Sequence, residues 1–290
     1  MRRLIKCTPF INVAANAMAT IDFFKGALAG YTLHRLILEL GGGNTKANMT
    51  GIRLLANDGL IFDDTGARID SRMKYRGIFD EAGHLSLDFD ELRSKTIQGQ
   101  SLGAIDTSFG LRSLNAEIDH GAAAAPTLKA FWEVSDPQTR PEQLKFRGLI
   151  AMCLKSAQGF NAADTYALNV VGGNPNPGSI LKRFHIFHTG HVLGLQIKKD
   201  GVIIHDTIPT DATAQTINTF MQKERLRVPQ ANVYTYDPIL DGNQSESLNT
   251  GDAGSMEFYV KTDAADNVVV VSELLTPLGW SGNASNAARG

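Results

Sequence analysis

The strongest constraint on the fold is a short sequence that the chain carries twice. NDGLIFDDTG spans Asn57–Gly66, and KDGVIIHDTI spans Lys199–Ile208, at a constant offset of 142 residues. Asp-Gly between apolar runs predicts a β-hairpin with a type I′ turn, because both central residues must adopt positive φ. A strand with a Leu-x-Arg triplet precedes each copy, at Leu33–Arg35 and at Leu181–Arg183. The repeated order predicts two similar domains.

Helical periodicity is scarce, and its two best examples each follow the repeated sequence. The first helix is predicted over Ala67–Arg76, with Gly77 as a stop signal. The second is predicted over Ala212–Arg225, with Asp211 as N-cap and Pro229 beyond its end. The apolar stripe of this second helix is formed by Ala214, Ile217, Phe220 and Met221.

Alternation of apolar and polar residues with a period of two dominates the remaining sequence. Such alternation predicts antiparallel strands with one buried and one solvated face. The clearest cases are His84–Glu91, Ser113–Asp119 and Ser255–Lys261. Five further strands are predicted where β-branched and aromatic residues cluster. They are Tyr31–Leu40, Leu128–Val134, Leu181–Phe187, Val233–Tyr236 and Val268–Val271.

Composition and net charge argue against several classes of protein, among them nucleic-acid-binding, disulfide-rich and membrane-spanning proteins. Of 290 residues, 43% are hydrophobic and 20% are charged, and 28 glycines favour many turns. The net charge of −2 argues against a phosphate-tracking surface, so no specific nucleic-acid binding is expected. Cys7 and Cys153 are far apart, which predicts buried thiols rather than a disulfide framework or a zinc site. Neither a signal peptide nor a membrane-spanning stretch is predicted.

Two domains joined by a short linker are predicted. The N-terminal domain is assigned to residues 1–137 and the C-terminal domain to residues 144–280, with a polar, proline-containing linker over 138–143. Residues 281–290 are expected to form a flexible tail. About eight antiparallel strands in two packed sheets fit a jelly roll or another Greek-key sandwich, and the alternation alone does not choose between them.

Two short motifs allow an enzymatic interpretation. GQSLG, at Gly99–Gly103, matches the G-x-S-x-G pattern and makes Ser101 the candidate nucleophile of a serine hydrolase, although no helical pattern follows it. HIFHTGH carries His185, His188 and His191, of which the last two would serve a cupin-like metal enzyme. Residues three apart on a strand point to opposite faces, so surface or cross-strand histidines are the favoured interpretation.

Acidic and glycine-rich segments are the remaining candidate sites. Asp88, Asp90 and Glu91 gather carboxylates as calcium sites do, but they lack EF-hand spacing, so solvated edge charge is expected. No catalytic residue and no cofactor are predicted, while a structural divalent cation such as calcium stays open. The glycine runs Gly41–Asn44 and Gly172–Gly178 lack phosphate-binding patterns and are predicted to be loops.

A carbohydrate-binding double sandwich, such as a phage spike or lectin, is a further alternative. Trp132 and Trp280 would then be exposed and would stack on sugar rings. Both are expected instead to be core or interface residues.

Three segments resemble a known family of structural proteins. Pro9–Phe23, which contains NVAA at Asn12–Ala15, and the block Leu102–Phe131 resemble the major capsid proteins of corticovirus-like phages. Ile52–Asp64, the first hairpin, resembles the same part of that family. These phages are tailless and icosahedral, and they enclose double-stranded DNA within an internal membrane. The C-terminal half matches the family only in its domain pattern.

The resemblance implies a non-enzymatic shell protein with a double jelly-roll fold. Three subunits would form a homotrimeric capsomer with a pseudo-hexagonal outline, since six similar barrels would surround its axis. Its partners would be neighbouring capsomers, a penton or vertex protein and proteins of the internal membrane, in a virion capsid assembled in the bacterial host cytoplasm. Arg2, Arg3 and Lys6 are favoured as an ordinary solvated N-terminus by their charge pattern alone. In a shell over a membrane, the hypothesis is that they lie near lipid headgroups, at about 1 kcal/mol for each basic residue on an anionic surface.

Overall fold

The chain, seen in a computed structural model, divides into two compact units. The structure describes residues 2–25, 28–78, 81–91, 94, 96, 99–137, 148–208, 213–277 and 279. Of these, unit 1 takes in the residues of Met1–Lys74, Ile78–Cys153 and Thr276–Trp280, and unit 2 takes in those of Tyr75–Gly77 and Leu154–Leu275. The predicted linker at 138–143 and tail at 281–290 lie outside the described residues, so the predicted domain boundaries stay predictions.

Unit 1 is built from two antiparallel sheets. The first contains, in spatial order, β1 (Arg3–Lys6), β9 (Thr127–Ser135), β3 (Thr32–Gly41) and β6 (His84–Asp88), with the two-residue β7 (Ile105–Asp106) beside β3. The second contains β2 (Met18–Asp22), β8 (Leu114–His120), β4 (Met49–Ala56) and β5 (Gly59–Asp64). The first residues of β10 (Leu149–Phe160) run parallel to β5, where Cys153 pairs with Phe62.

Unit 2 is also built from two sheets. The first contains the rest of β10, β18 (Asp266–Pro277), β12 (Ile180–Phe187) and β15 (Val233–Tyr236), with the two-residue β16 (Leu248–Asn249) beside β12. The second contains β11 (Thr165–Ala167), β17 (Met256–Thr262), β13 (Val192–Lys199) and β14 (Val202–Asp206).

The strand pairing of unit 2 repeats that of unit 1. β3 pairs with β9, β6 and β7 in the way that β12 pairs with β18, β15 and β16. β4 pairs with β5 and β8 in the way that β13 pairs with β14 and β17. In the described part of the chain, each unit thus has eight main strands and one strand of two residues. The predicted all-β fold with two tandem eight-stranded domains is confirmed.

Both predicted helices are present, and they differ in the direction of their apolar side chains. α1 (Gly66–Tyr75) buries Ile69 to 2% and Met73 to 9% exposure. α2 (Thr213–Glu224) instead leaves Ile217, Phe220 and Met221 of its stripe exposed, with Phe220 at 58%. Periodicity predicts that a helix forms but not which side faces the core. Asp211, the predicted N-cap, lies outside the described residues, and no helix among those that are described is long and apolar enough to cross a membrane.

The two hairpin turns differ by one residue from the predicted alignment. In the second hairpin, Asp200 (φ 52°) and Gly201 (φ 77°) occupy the central positions, as predicted. In the first hairpin, positive φ occurs at Asn57 (50°) and Asp58 (63°), while Gly59 is already the first residue of β5. The prediction that Gly59 requires positive φ is therefore wrong. Asn and Asp visit the left-handed region more readily than most residues, which allows the turn to form one residue earlier.

Backbone pairing consequently relates the two hairpins at an offset of 143 residues rather than 142. Ala56 pairs with Gly59 next to the first turn, and Lys199 pairs with Val202 next to the second. Each hairpin then has a one-residue bulge on its second strand, at Ile61 and Ile204, which the pairing skips. The identical residues of the repeated sequence therefore occupy positions one residue apart.

Each unit has an aromatic core of its own. In unit 1, Trp132 is fully buried, and the ring centroids of Phe23 and Phe89 lie 5.4 and 5.6 Å from it. In unit 2, the ring of Phe184 lies 5.9 Å from that of Phe258 in an edge-to-face arrangement. Such pairs contribute beyond their buried area, by about 0.5–1.5 kcal/mol.

Candidate functional site

Ser101 lies in a turn that lacks the geometry of a nucleophile elbow. Its carbonyl oxygen accepts a hydrogen bond from the backbone N–H of Ala104 at 3.1 Å. The chain then continues through an isolated bridge at Gly103 into β7, so no helix follows the serine. The G-x-S-x-G motif acts only where a strand is followed by a sharp turn and a helix. The structure therefore does not support the hydrolase alternative.

The three histidines of HIFHTGH are held apart by different partners. His185 is buried, and its Nδ1 lies 2.9 Å from the Thr235 hydroxyl. His191 is exposed, and its Nδ1 lies 2.9 Å from the Asp263 carboxylate. His188 accepts a hydrogen bond from a backbone amide, and its burial lowers the pKa of its ring. Among the described residues, no group of three potential ligands is placed to hold a metal ion.

The acidic segment at the end of β6 is buried, so the prediction of solvated edge charge is wrong. Asp90 and Glu91 are only 1% and 4% exposed. Asp88 Oδ1 lies 2.6 Å from Arg35 Nε, and Asp90 Oδ2 lies 2.7 Å from Arg2 Nη2. One oxygen of Asp88 and one oxygen of Asp90 thus form ion pairs with arginines of unit 1. No group of three possible metal ligands is found in the described part of the chain, so the calcium prediction gains no support.

Unit 2 contains a corresponding ion cluster around Arg183. This residue is fully buried, with Nη1 2.8 Å from Glu273 Oε2 and Nε 3.4 Å from Asp237 Oδ1. Arg227 Nε approaches the other Asp237 oxygen at 3.2 Å, and the Tyr75 hydroxyl donates to that oxygen at 3.3 Å. Burial raises the pKa of Tyr75, and the Asp237 carboxylate raises it further, so the phenol keeps the proton that it donates.

The two arginine clusters are the structural counterpart of the repeated Leu-x-Arg triplets. Arg35 lies opposite Glu133 in the β3–β9 pair, and Arg183 lies opposite Glu273 in the equivalent β12–β18 pair. The repeated triplets identify the two arginines, but the sequence does not predict their ion pairs. Each carboxylate partner, on β9 or β18, is about ninety or more residues away along the chain. Sequence reasoning therefore missed these clusters as features that organise both units.

The basic N-terminal residues are partly engaged within unit 1. Arg2 contacts the Asp90 carboxylate, as described above. His34 contacts the same carboxylate, with its Nδ1 2.7 Å from Asp90 Oδ2. Arg3 Nη2 lies 3.3 Å from an Asp136 oxygen, in an exposed ion pair. Lys6, at the end of β1, is exposed. A contact with lipid headgroups stays a prediction, and Arg3 and Lys6 are the residues accessible enough to make it.

The cysteines and the glycine runs have structural explanations. Burial raises the pKa of the Cys7 thiol to about 12, although a backbone hydrogen bond from Trp132 opposes the change. Cys153 is buried, and the two cysteines form no disulfide. A Cβ on Gly42 would lie 1.9 Å from a backbone oxygen, and one on Gly178 would lie 2.2 Å from a backbone carbon. Gly42 and Gly178 lie in loops, as predicted, and the structure adds that they allow close approach of another backbone segment.

The tryptophans give no support to a sugar-binding surface. Trp132 is fully buried between Phe23 and Phe89 and presents no face to a ligand. Trp280 lies outside the described residues.

The most distinctive exposed feature is an apolar surface in unit 2. Eight of the twelve large apolar side chains that are exposed in the described part of the chain lie within one stretch of 27 residues. We call it the 202–228 surface, and it consists of Val202, Ile203, Ile204, Ile217, Phe220, Met221, Leu226 and Val228. Exposed apolar residues that form a contiguous patch mark contacts with other molecules, so these residues are the candidate contact surface of unit 2.

Comparison with known proteins assigns both halves of the chain to one family. Residues 4–135 match the viral coat protein P2 N-terminal domain, and residues 157–278 match the viral coat protein P2 C-terminal domain. No curated protein matches the chain.

Solved structures share the fold over nearly the whole chain. The major capsid protein P2 of bacteriophage PM2 is similar with a TM-score of 0.80 at 19% identity, covering 98% of this chain and 99% of that chain. A chain in the atomic structure of Sulfolobus turreted icosahedral virus has a TM-score of 0.68 at 12% identity, covering 96% of this chain and 91% of that chain. The capsid of virus PBCV-1 has a TM-score of 0.56 at 12% identity, with 97% of each chain covered.

These similarities establish the double jelly-roll fold, which the strand alternation alone left open. The two family matches follow each other in the expected order and together cover most of the 290 residues. The protein therefore belongs to the viral coat protein P2 family.

Proposed function

We propose that the protein is the major capsid protein of a tailless, icosahedral bacteriophage with an internal membrane, and that three copies form one capsomer. The observation that carries this proposal is the complete repetition of one eight-stranded pairing scheme within a single chain. Three such chains supply six similar domains, which suits a trimer with a pseudo-hexagonal outline. The viral coat protein P2 family is structural, and no enzymatic role is assigned.

The mass of the purified protein in solution tests this proposal. One chain weighs 31.4 kDa, so a trimer weighs about 94 kDa by light scattering after size-exclusion chromatography. Electron microscopy of concentrated protein should then show capsomers with six-fold outline, or closed shells. A chain that stays monomeric at all concentrations and forms no particles would contradict the proposal.

Neighbouring capsomers, a vertex protein and proteins of the internal membrane are the proposed partners in the virion. Two cysteines without a disulfide between them support assembly in the reducing cytoplasm of a bacterial host.

We also propose that Arg3 and Lys6 contact anionic lipid headgroups. The double variant Arg3→Gln/Lys6→Gln should bind vesicles containing phosphatidylglycerol less well by about 2 kcal/mol, or roughly 30-fold. Arg2 is left in place because it pairs with the buried Asp90. Lys129→Gln, at an exposed lysine on β9, is the control and should retain binding. Equal flotation of the double variant and the wild type would refute the lipid contact.

A further inference from the structure

The 202–228 surface includes an exposed edge strand, β14. This strand is the last in its sheet, and among the described residues β13 is its one strand partner. Its consecutive residues Val202, Ile203 and Ile204 are 65%, 50% and 42% exposed. Folded proteins usually protect an apolar edge of this kind with charge, a bulge that turns it away or a covering segment. The bulge is present at Ile204, but the neighbouring apolar side chains stay in solvent.

Unit 1 shows what normally covers this hairpin. Ile61, the residue equivalent to Ile204, is 1% exposed, and the adjacent Phe62 is 4% exposed. Phe62 pairs in parallel with Cys153, so a strand of the same chain lies along the outer edge of β5. In unit 1, a strand of the same chain thus covers the outer edge of the hairpin. In unit 2, no strand among the described residues covers the outer edge of β14.

The helices repeat this contrast. Ile69 and Met73 of α1 are buried in unit 1. On α2, Ile217, Phe220 and Met221 are 52%, 58% and 49% exposed. Among the side chains of α2 that the structure describes, the buried one is the polar Gln222, which donates to the Thr235 carbonyl oxygen at 3.0 Å. An amphipathic helix with its apolar side in solvent gains stability only when another surface covers it.

We propose that a second copy of this chain packs against the 202–228 surface. The inference rests on the proposed function, because a shell subunit must contact other copies of itself. Unit 1 exposes a different apolar set, consisting of Leu4, Ile11, Met18 and Phe109. A contact between unlike surfaces is heterologous, and such contacts close into a ring when the rotation between successive copies closes. In such a ring, the 202–228 surface of one copy packs against apolar residues of unit 1 on the next.

Charge placed on the surface tests the proposal. Ile203→Glu and Phe220→Glu, alone and together, should shift the mass from about 94 kDa to that of one chain and weaken association at least tenfold, because a carboxylate would be desolvated in the contact. Both side chains are at least half exposed, so the subunit fold should survive, as circular dichroism will show. Lys223→Glu, on the same helix outside the apolar stripe, is the matched control and should preserve the trimer.

Hydrogen exchange on the wild-type protein supplies a second test that needs no variant. The backbone amides of Val202–Asp206 should exchange more slowly in the associated protein than in the diluted monomer. Equal exchange in the two states would overturn the proposal.

The remaining outcomes separate this inference from the proposed function. If the glutamate variants still form trimers and shells, the inference fails while the capsid function stands. If the wild type never associates, both fail. If the variants keep the trimer but lose flotation with phosphatidylcholine–phosphatidylglycerol vesicles, lipid occupies the surface and the inference fails. If removal of residues 281–290 speeds exchange at 202–206 in the monomer, the tail is the occupant, which also refutes it.

Discussion

The two hairpin glycines offer a direct test at the scale of single residues. Gly201 has a φ of 77°, and a Cβ there would meet nothing within 4 Å, so its requirement for glycine comes from the backbone alone. We expect Gly201→Val to lower the free energy of unfolding by about 2 kcal/mol. Gly59→Val should cost less, because Gly59 does not lie at positive φ. Urea unfolding of both variants measures the difference, and equal losses would contradict the observed turns.

Two partly buried histidines predict acid sensitivity in unit 2. His205 lies 3.3 Å from the Tyr234 hydroxyl and 5.0 Å from the ring centroid of Tyr236, and burial lowers its pKa, although Asp206 opposes this. Below a pH of about 6.5 the unfolded chain takes up a proton that the folded chain resists, so stability falls as pH falls. The slope is at most about 1.4 kcal/mol per pH unit for one histidine.

Removing the imidazole should weaken this dependence. Urea unfolding of His205→Gln between pH 7 and pH 5 should show a flatter decline of stability than the wild type. His188 has a pKa lowered by burial in the same direction, so part of the decline should remain. An unchanged slope in His205→Gln would place the acid sensitivity elsewhere.

At the scale of strands, the repeated ion clusters predict a large difference between buried and exposed pairs. Arg183→Met leaves the Glu273 carboxylate without its guanidinium partner and leaves Asp237 with Arg227 as its remaining cation, which should cost about 3–5 kcal/mol. Lys129→Met removes an exposed pair with Glu39, in which the two side chains are 51% and 37% exposed, and should cost less than about 1 kcal/mol. Similar losses in urea unfolding would mean that the cluster is well solvated.

The sequence predicted elements well where periodicity carried the information. All eight predicted strands and both helices are present, because alternation and helical spacing are local properties. β1 was not predicted, since Arg3–Lys6 is a short edge strand that pairs with residues far along the chain. For the same reason the burial of Asp88 and Asp90 was missed, because it depends on cations that β3 and the N-terminus bring from elsewhere in the sequence.

At the scale of the whole molecule, the apolar character of the proposed contact predicts how assembly responds to salt. Raising NaCl from 0.1 M to 1 M shortens the Debye length from about 10 Å to about 3 Å, which weakens contacts between exposed charges. Burial of apolar side chains does not depend on such charges. We therefore expect the trimer mass to be the same at both concentrations in light scattering. Dissociation at high salt would indicate that ion pairs hold the copies together.

The family was accessible from sequence because its resemblance lay in contiguous segments of the first half. The location of the 202–228 surface could not be predicted from the sequence, because the apolar stripe on α2 has the same pattern as the stripe of a buried helix. Only the position of α2 in unit 2, with Gln222 on its inner side, shows which way that stripe points.

The one-residue difference between the hairpins has a practical consequence for chimeras. A designer who exchanged the hairpins by matching identical letters would join Asp58 to the place of Asp200 and displace the graft by one residue. On a strand that displacement turns every side chain to the opposite face, so the buried position of Phe62 would receive a side chain that belongs on the other face. Splice points chosen at the bulged residues Ile61 and Ile204 keep each side chain on its original face of the sheet. The two hairpins can therefore be exchanged only when they are aligned by backbone pairing and not by sequence identity.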